Sequence, residues 1–495
     1  MAIETRTVIT VRNPATGELI GEAPVTSKAE VYASLERART AQLSWGAMTA
    51  RERCRSLKTF RKKLVANADE LSSLIMRESG KPRHEALLAE VFPLVDLMHY
   101  FARRAPQVLR PQAIRLHLAK HRRSYLHYRP KGVVGIIAPW NFPLAIAVGE
   151  AIMAIIAGNA AIIKPSEVTP LSALKAKVLW DESGLPADLF LVLPGGPDVG
   201  KALIEAKVDH VSFTGSVAAG RQVAAACGER LIPCTLELGG KAPAIVCADA
   251  NLERTARALV WGAFMNSGQV CAAVERVYVM RQCHDRLVEL IVAIARELRQ
   301  GDPAGQEVDV GAMTFAKQLV VASEQIADAL AQGAKVALGG VPVTDSGMFF
   351  PPTVLVGVTQ QMRVMREETF GPLLPIMAVE SEAEALSLAN DSQLGLCAYV
   401  FTKEVTKGLR LAEDIAAGTV MVNDVVASHA FPETPWGGIK ASGLGRTHSD
   451  LGLLDLVQVR HVNYPLIPLP RELWWYPYRE TLYRLGLTLM KRFFG

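Results

Sequence analysis

Between Lys131 and Val279 short apolar runs alternate with stretches of helical spacing: GVVGIIA, a helix to Ala157, AIIK, a helix from Pro170, LFLVLPG, a helix near Val199, HVSFTGS, another helix and LIPCTLELGG. A strand covered on both faces by helices reads as a continuous apolar run, and parallel neighbours need a long crossover between them. The alternation therefore commits the chain to an α/β fold built on a parallel sheet. A second series opens at Pro243 with PAIVCADA and continues through 276–280, 372–379 and 418–423, which predicts two α/β domains with a seam near 238–243. Residues 32–80 read as helices on the outside of this core, and 114–130 (IRLHLAKHRRSYLHYRP) alternate bulky and polar residues around a basic centre, as a hairpin does. There is no internal repeat and no low-complexity linker.

Length and composition bound the function. With 495 residues the chain has room for two to four domains, each with its own core. Its 54 Lys and Arg nearly balance 49 Asp and Glu, so the total of +5 carries no nucleic-acid footprint, although local clusters still count. Seven Cys, with no C-x-x-C pair, argue against a complete disulfide framework and for a reducing compartment. Glu4 and Arg6 stand where an export signal needs an apolar stretch, and the richest apolar run, 142–157, contains Glu150. A soluble, cytoplasmic protein is expected.

Several local patterns carry chemistry, each beside a plainer alternative. In HVSFTGSVAAG a strand end is followed by Gly215, Ser216 and a helix containing Gly220; a dinucleotide phosphate could sit on those helix amides, or the glycines serve a tight turn. In IIKPSEVTP, Lys164 and Glu167 follow a buried strand, placed either to hold ribose hydroxyls or as a surface pair at a helix start. Cys271 has the most loop-like setting of the seven Cys, suiting a nucleophilic thiolate, although lone cysteines are usually inert core. Glu237, at a strand end before two glycines, could serve as a general base or be a surface carboxylate. Asn141, in the Pro-bounded turn APWNFP, could donate to an oxyanion or cap the following helix. The 10 His form no H-x-x-x-H or Cys/His cluster, so no metal is expected.

Taken in order, APWNFP, KPSEVTP, FTGS, LELGGK, GQVC, EETFGP (367–372) and PWGGIKASGLGR (435–446) resemble the aldehyde dehydrogenase superfamily over about residues 10 to 465. The resemblance implies a Rossmann-like cofactor domain (1–112 and 131–238), an α/β catalytic domain (239–452), and a small β oligomerisation element (113–130 and 453–466) that makes a homodimer or homotetramer. It implies Cys271 as nucleophile, Glu237 as general base, and Asn141 with the Cys271 amide as oxyanion donors. It further implies Lys164 and Glu167 on the adenosine ribose, Gly215, Ser216 and Gly220 at the pyrophosphate, Trp140 beside the cofactor, and Glu368 with Phe370 at the nicotinamide ribose. The expected cofactor is NAD, because Glu167 would repel a 2′-phosphate, with NADP left open. Glu237 points to the hydrolytic branch, whose product is the acid.

The positions matching the family's aldehyde tunnel are Phe142, Ala145, Ile146, Gly149, Val270 and Trp436: apolar, with small residues at 145 and 149 and no Lys or Arg for a second carboxylate. An apolar medium-chain, long-chain or aromatic aldehyde is expected; the alternatives are a semialdehyde dehydrogenase and a non-catalytic binding protein on the same fold. Residues 467–495 extend past the family's usual end. Projected at 100° per residue from Arg479, Leu482, Leu485, Leu489 and Phe493 with their neighbours fill an apolar arc of about 200°, opposite Arg484, Lys491 and Arg492. With Trp474, Trp475, Tyr476 and Tyr478 ahead of it, this segment (474–494) suits contact with a membrane surface, a partner subunit or the tunnel mouth.

Overall fold

The computed structural model describes residues 7–341 and 347–495. Two compact units emerge: the chain up to Leu109 together with Arg129–Gln458, and Arg110–Tyr128 together with Val459–Gly495.

The larger unit holds both predicted α/β layers. Its first sheet has six strands in the order Gly443–Leu444, Cys234–Glu237, His210–Thr214, Val133–Ile137, Ala160–Lys164, Phe190–Val192, parallel except for the first pair. The second has seven, ordered Lys335–Leu338, Thr353–Val356, Leu373–Val379, Val274–Met280, Ala242–Val246, Cys397–Phe401, Thr419–Val422, with only the Lys335–Leu338 edge antiparallel. Every residue of Ala160–Lys164, Ala242–Val246 and Val274–Met280 is buried, the double-faced burial that makes parallel strands legible as apolar runs. The helix Ala145–Ala157 is buried almost all round, as a helix without a polar stripe must be.

The chain passes from the first sheet to the second between Glu237, which ends a strand of one, and Ala242, which begins a strand of the other. The linear boundary is crossed once: Gly443–Leu444 returns to pair with Cys234–Glu237, so the first sheet is completed by a late segment of the chain. The helices predicted over 32–80 run from Lys28 to Ser79, and the first two open with Ser27 and Thr49 capping boxes. A hairpin of Val8–Arg12 and Leu19–Pro24 precedes them.

In the smaller unit Gln112–Ile114 pairs antiparallel with Arg122–Pro130, as the alternation predicts, and Val457–Pro465 adds a third strand. Glu472 ties the chain beyond this sheet to it, accepting from Arg122 at 2.8 Å with His121 at 3.5 Å. The last element is a helix, Glu480–Phe494, with no buried residue. No helix among the described residues is long and apolar enough to cross a membrane.

Candidate active site

The first sheet reverses direction at Val133–Ile137: the chain first adds strands on one side, through Ala160–Lys164, and later on the other, through His210–Thr214. Where strand order reverses, the loops leaving the two central strands diverge and open a crevice beyond their carboxyl ends. One of these loops carries Trp140 and Asn141. The other carries Gly215 and Ser216, and Ser216 caps the helix Val217–Gly228 by accepting from the Ala219 amide. A Cβ on Gly220 would collide with the Leu238 side chain, so only glycine lets this helix approach that closely.

The crevice is a cavity of about 170 Å3 whose wall includes Trp140, Asn141, Ser216, Glu237, Cys271 and Glu368. Cys271 stands in the loop before Val274–Met280. Burial, reinforced by the charges of Glu237 and Glu368, pushes its thiol up to about 12, against the pull of the backbone amides of Ala272 and of Cys271 itself. Glu237 is buried and neither carboxylate oxygen has a hydrogen-bond partner among the described residues. Burial and the nearby Glu150 hold it well above the usual carboxylate range, while Arg446 pulls it down. A carboxyl with a raised pKa, lining the same cavity as a thiol and without an ion-pair partner of its own, is a candidate for proton transfer there.

Asn141 is 3 % exposed and held from both ends. Its Nδ2 donates to the Gln269 carbonyl at 3.0 Å, which leaves one N–H for an oxyanion, while its own carbonyl accepts from Lys81 Nζ at 2.6 Å and Asn266 Nδ2 at 3.1 Å. Lys81 in turn donates to Glu90 at 2.7 Å, both side chains being fully buried, and Glu90 accepts the Leu144 and Ala145 amides at the start of the helix that follows. The loop before Cys271 is bent by consecutive positive φ values at Asn266, Ser267 and Gly268, where any Cβ at 268 would strike the Gly371 carbonyl.

A second buried pair shapes the opposite wall. Lys241 and Glu275 lie 2.7 Å apart, and Glu275 accepts the Thr369 and Phe370 amides, which fixes Phe370 at φ 52° with its ring 5.3 Å from Trp140, edge to face. Glu368 accepts from the Gly240 amide at 2.9 Å; burial and Glu275 raise its carboxyl to about 8. Lys81, Glu90, Asn266, Gln269, Lys241 and Glu275 escaped the sequence reading. Glu275 could have been found, since a charge inside VERVYV must be buried and paired if that run is a central strand.

Beyond Cys271 lies an apolar cavity of about 250 Å3, and Phe142, Ala145, Ile146, Val270 and Trp436 all line it. Gly149 does not; it borders an adjoining pocket of about 20 Å3, because one more helical turn carries it past the cavity's end. His429, unremarked in the sequence, lines both of these and the Cys271 crevice, with its ring 4.9 Å from Trp436. Lys164 and Glu167 pair at 3.0 Å at the end of their strand and are not part of the Cys271 crevice wall. Among the described residues no group of three or more His, Cys, Asp or Glu could hold a metal ion.

The model of the aldehyde dehydrogenase family matches residues 2–462. A 4,4'-diapolycopene aldehyde oxidase of Methylomonas is 40% identical over 487 residues, covering 96% of this chain and 89% of that protein. A putative NADP(+) succinate-semialdehyde dehydrogenase of Mycolicibacterium smegmatis is 39% identical, covering 90% and 87%. The crystal structure of a Mycobacterium tuberculosis aldehyde dehydrogenase complexed with NAD+ superposes with a TM-score of 0.89 at 33% identity, covering 95% of this chain and 96% of that one. The chain belongs to the aldehyde dehydrogenase family, has its fold, and is an NAD(P)-dependent aldehyde dehydrogenase. The crevice fits such a dinucleotide in its donor set: helix amides behind Ser216 for phosphate, the Glu368 carboxylate for hydroxyls, and a Trp140–Phe370 wall for a flat ring.

Proposed function

We propose that the chain oxidises an apolar aldehyde, of medium or long chain or aromatic, to its carboxylic acid, using NAD in preference to NADP. The observation that carries this is the cavity leading to Cys271: its wall is apolar around Phe142, Ile146, Val270 and Trp436, and neither Lys nor Arg lines it. A relative named for oxidising an aldehyde of 4,4'-diapolycopene supports the apolar reading, while the succinate-semialdehyde relative keeps an acid-bearing aldehyde as the second reading. A buried carboxylate in this cavity would face no cation, and leaving a charge there uncompensated is costly. Glu167, already paired with Lys164, favours NAD by repelling a 2′-phosphate.

In this mechanism the Cys271 thiol first gives its proton to solvent; the thiolate then adds to the aldehyde carbon and the carbonyl electron pair moves onto oxygen, which the free Asn141 N–H and the Cys271 amide stabilise. A nicotinamide held between Trp140, Phe370 and Glu368 would supply the hydride acceptor, and the carbon left on Cys271 would then be a thioester. Glu237 takes a proton from water, whose oxygen attacks the thioester carbon; the Cys271 thiolate leaves and the acid is released. Residues 131–238 contribute most of the cofactor site and 239–452 the nucleophile, with 113–130 and 453–466 joining copies into a dimer or tetramer. The seven free cysteines suit a reducing, cytoplasmic setting.

NADH formation without CoA tests the reading across acetaldehyde to dodecanal, with succinic semialdehyde alongside. The expected result is kcat/KM rising with chain length by up to about fourfold per buried methylene, the equivalent of about 0.8 kcal/mol. Preference for succinic semialdehyde over the longer aldehydes would overturn it.

A further inference from the structure

The smaller unit, Arg110–Tyr128 with Val459–Gly495, concentrates the charge of the whole chain. It contains eleven of the 54 Lys and Arg but only two of the 49 acidic residues, Glu472 and Glu480. Its net charge is thus +9, against +5 for the whole protein, so the remaining residues, with 43 basic and 47 acidic, carry −4. Both acids are already engaged: Glu472 is buried against Arg122 and His121, and Glu480 pairs with Arg484.

The same unit exposes aromatic and aliphatic surface that a protein in water normally covers. Trp474 and Trp475 are each about half exposed, Tyr476 and Tyr478 more so, and the helix Glu480–Phe494 buries none of its residues. Its apolar arc presents Leu485, Leu489, Met490 and Phe493 to solvent, with Arg484, Lys491 and Arg492 on the polar side. A helix of this pattern gains by lying in an interface with its apolar arc among acyl chains, indole rings at headgroup depth and cations on anionic headgroups.

We propose that this unit docks the enzyme on an anionic lipid bilayer, the helix Glu480–Phe494 lying in the plane of the membrane. Charge complementarity selects this occupant for the segment beyond the three-stranded sheet, since residues 467–495 hold five Lys or Arg against Glu472 and Glu480 and the same segment of a second copy would repel them. The apolar arc selects it over nucleic acid, whose backbone needs the cations and has no use for Leu, Met and Phe along fifteen residues.

The test is flotation of the full chain with vesicles of phosphatidylcholine alone or mixed with phosphatidylglycerol, at low and high salt, beside the variants Leu485→Glu/Leu489→Glu and Lys491→Gln/Arg492→Gln. The expected result is binding to the phosphatidylglycerol vesicles, at least tenfold weaker to phosphatidylcholine and weakened by salt. The apolar double variant loses binding at least tenfold and the basic one severalfold, with turnover of butanal and the mass by light scattering unchanged. Absence of vesicle binding in the parent chain would overturn the proposal. So would a drop in oligomeric mass for Leu485→Glu/Leu489→Glu without change in flotation, which assigns the arc to a second copy, or tighter binding of a DNA duplex than of vesicles. Flotation is read without substrate, so its failure is separate from any failure of the aldehyde assignment.

Discussion

Around Cys271 one thiol and two carboxylates, Glu237 and Glu368, share a cavity in which, after burial, the charges of both carboxylates disfavour the thiolate. On the proposed mechanism Glu237 loses its proton before it activates water, and because burial and Glu150 hold that proton on, kcat should rise with pH along a limb lying well above the ordinary carboxylate range. A pH profile from 5 to 10 checks this, with Glu237→Gln expected to abolish the limb and slow turnover about 10² to 10⁴-fold. Removing the like charge of Glu368 should make the Cys271 thiolate easier to form: iodoacetamide should alkylate Glu368→Gln at lower pH than the parent. Asn141→Ala removes a fixed donor and should cost about 10² to 10³ in kcat with little change in NAD affinity measured by fluorescence titration. These residue types were legible because their chemistry is tied to short motifs. What Asn141 leans on was not, since Lys81 and Glu90 lie 60 and 51 residues before it and only the fold brings them there.

At the scale of elements, the buried Lys81–Glu90 pair links three parts of the site: the helix carrying Glu90, the turn at Asn141 and the start of the helix Ala145–Ala157. Breaking it in Lys81→Met leaves Glu90 buried and unpaired, a loss of about 3 to 5 kcal/mol that should appear as a lowered melting temperature in calorimetry. Lys81→Met/Glu90→Gln should recover part of that loss, because the Gln oxygen still accepts the Leu144 amide without a charge to bury. Parallel strands were the easiest elements to read, their double burial giving continuous apolar runs. Cys397–Phe401 was missed although all of it is buried, because Gly395 and the neighbouring helices broke the pattern that marked its neighbours. The short pairing of Gly443–Leu444 with Cys234–Glu237 was invisible for another reason, since two residues have no period.

On the scale of the whole molecule, the proposed chemistry lies between two sheets joined near residue 240, and the net positive charge in a unit built from two distant stretches of chain. The alternation of runs revealed the first arrangement; the second required the fold, because 330 residues separate 110–128 from 459–495 in sequence. The claim that unites these observations is that an apolar aldehyde becomes a thioester on Cys271 and that Glu237 releases it. Rapid mixing of Glu237→Gln with decanal and NAD, followed by intact-mass and peptide analysis, addresses that claim. The account predicts a burst of about one NADH per site and a decanoyl adduct on the peptide containing Cys271. Sustained turnover at the parent rate, or a burst with Cys271 unmodified, would contradict it.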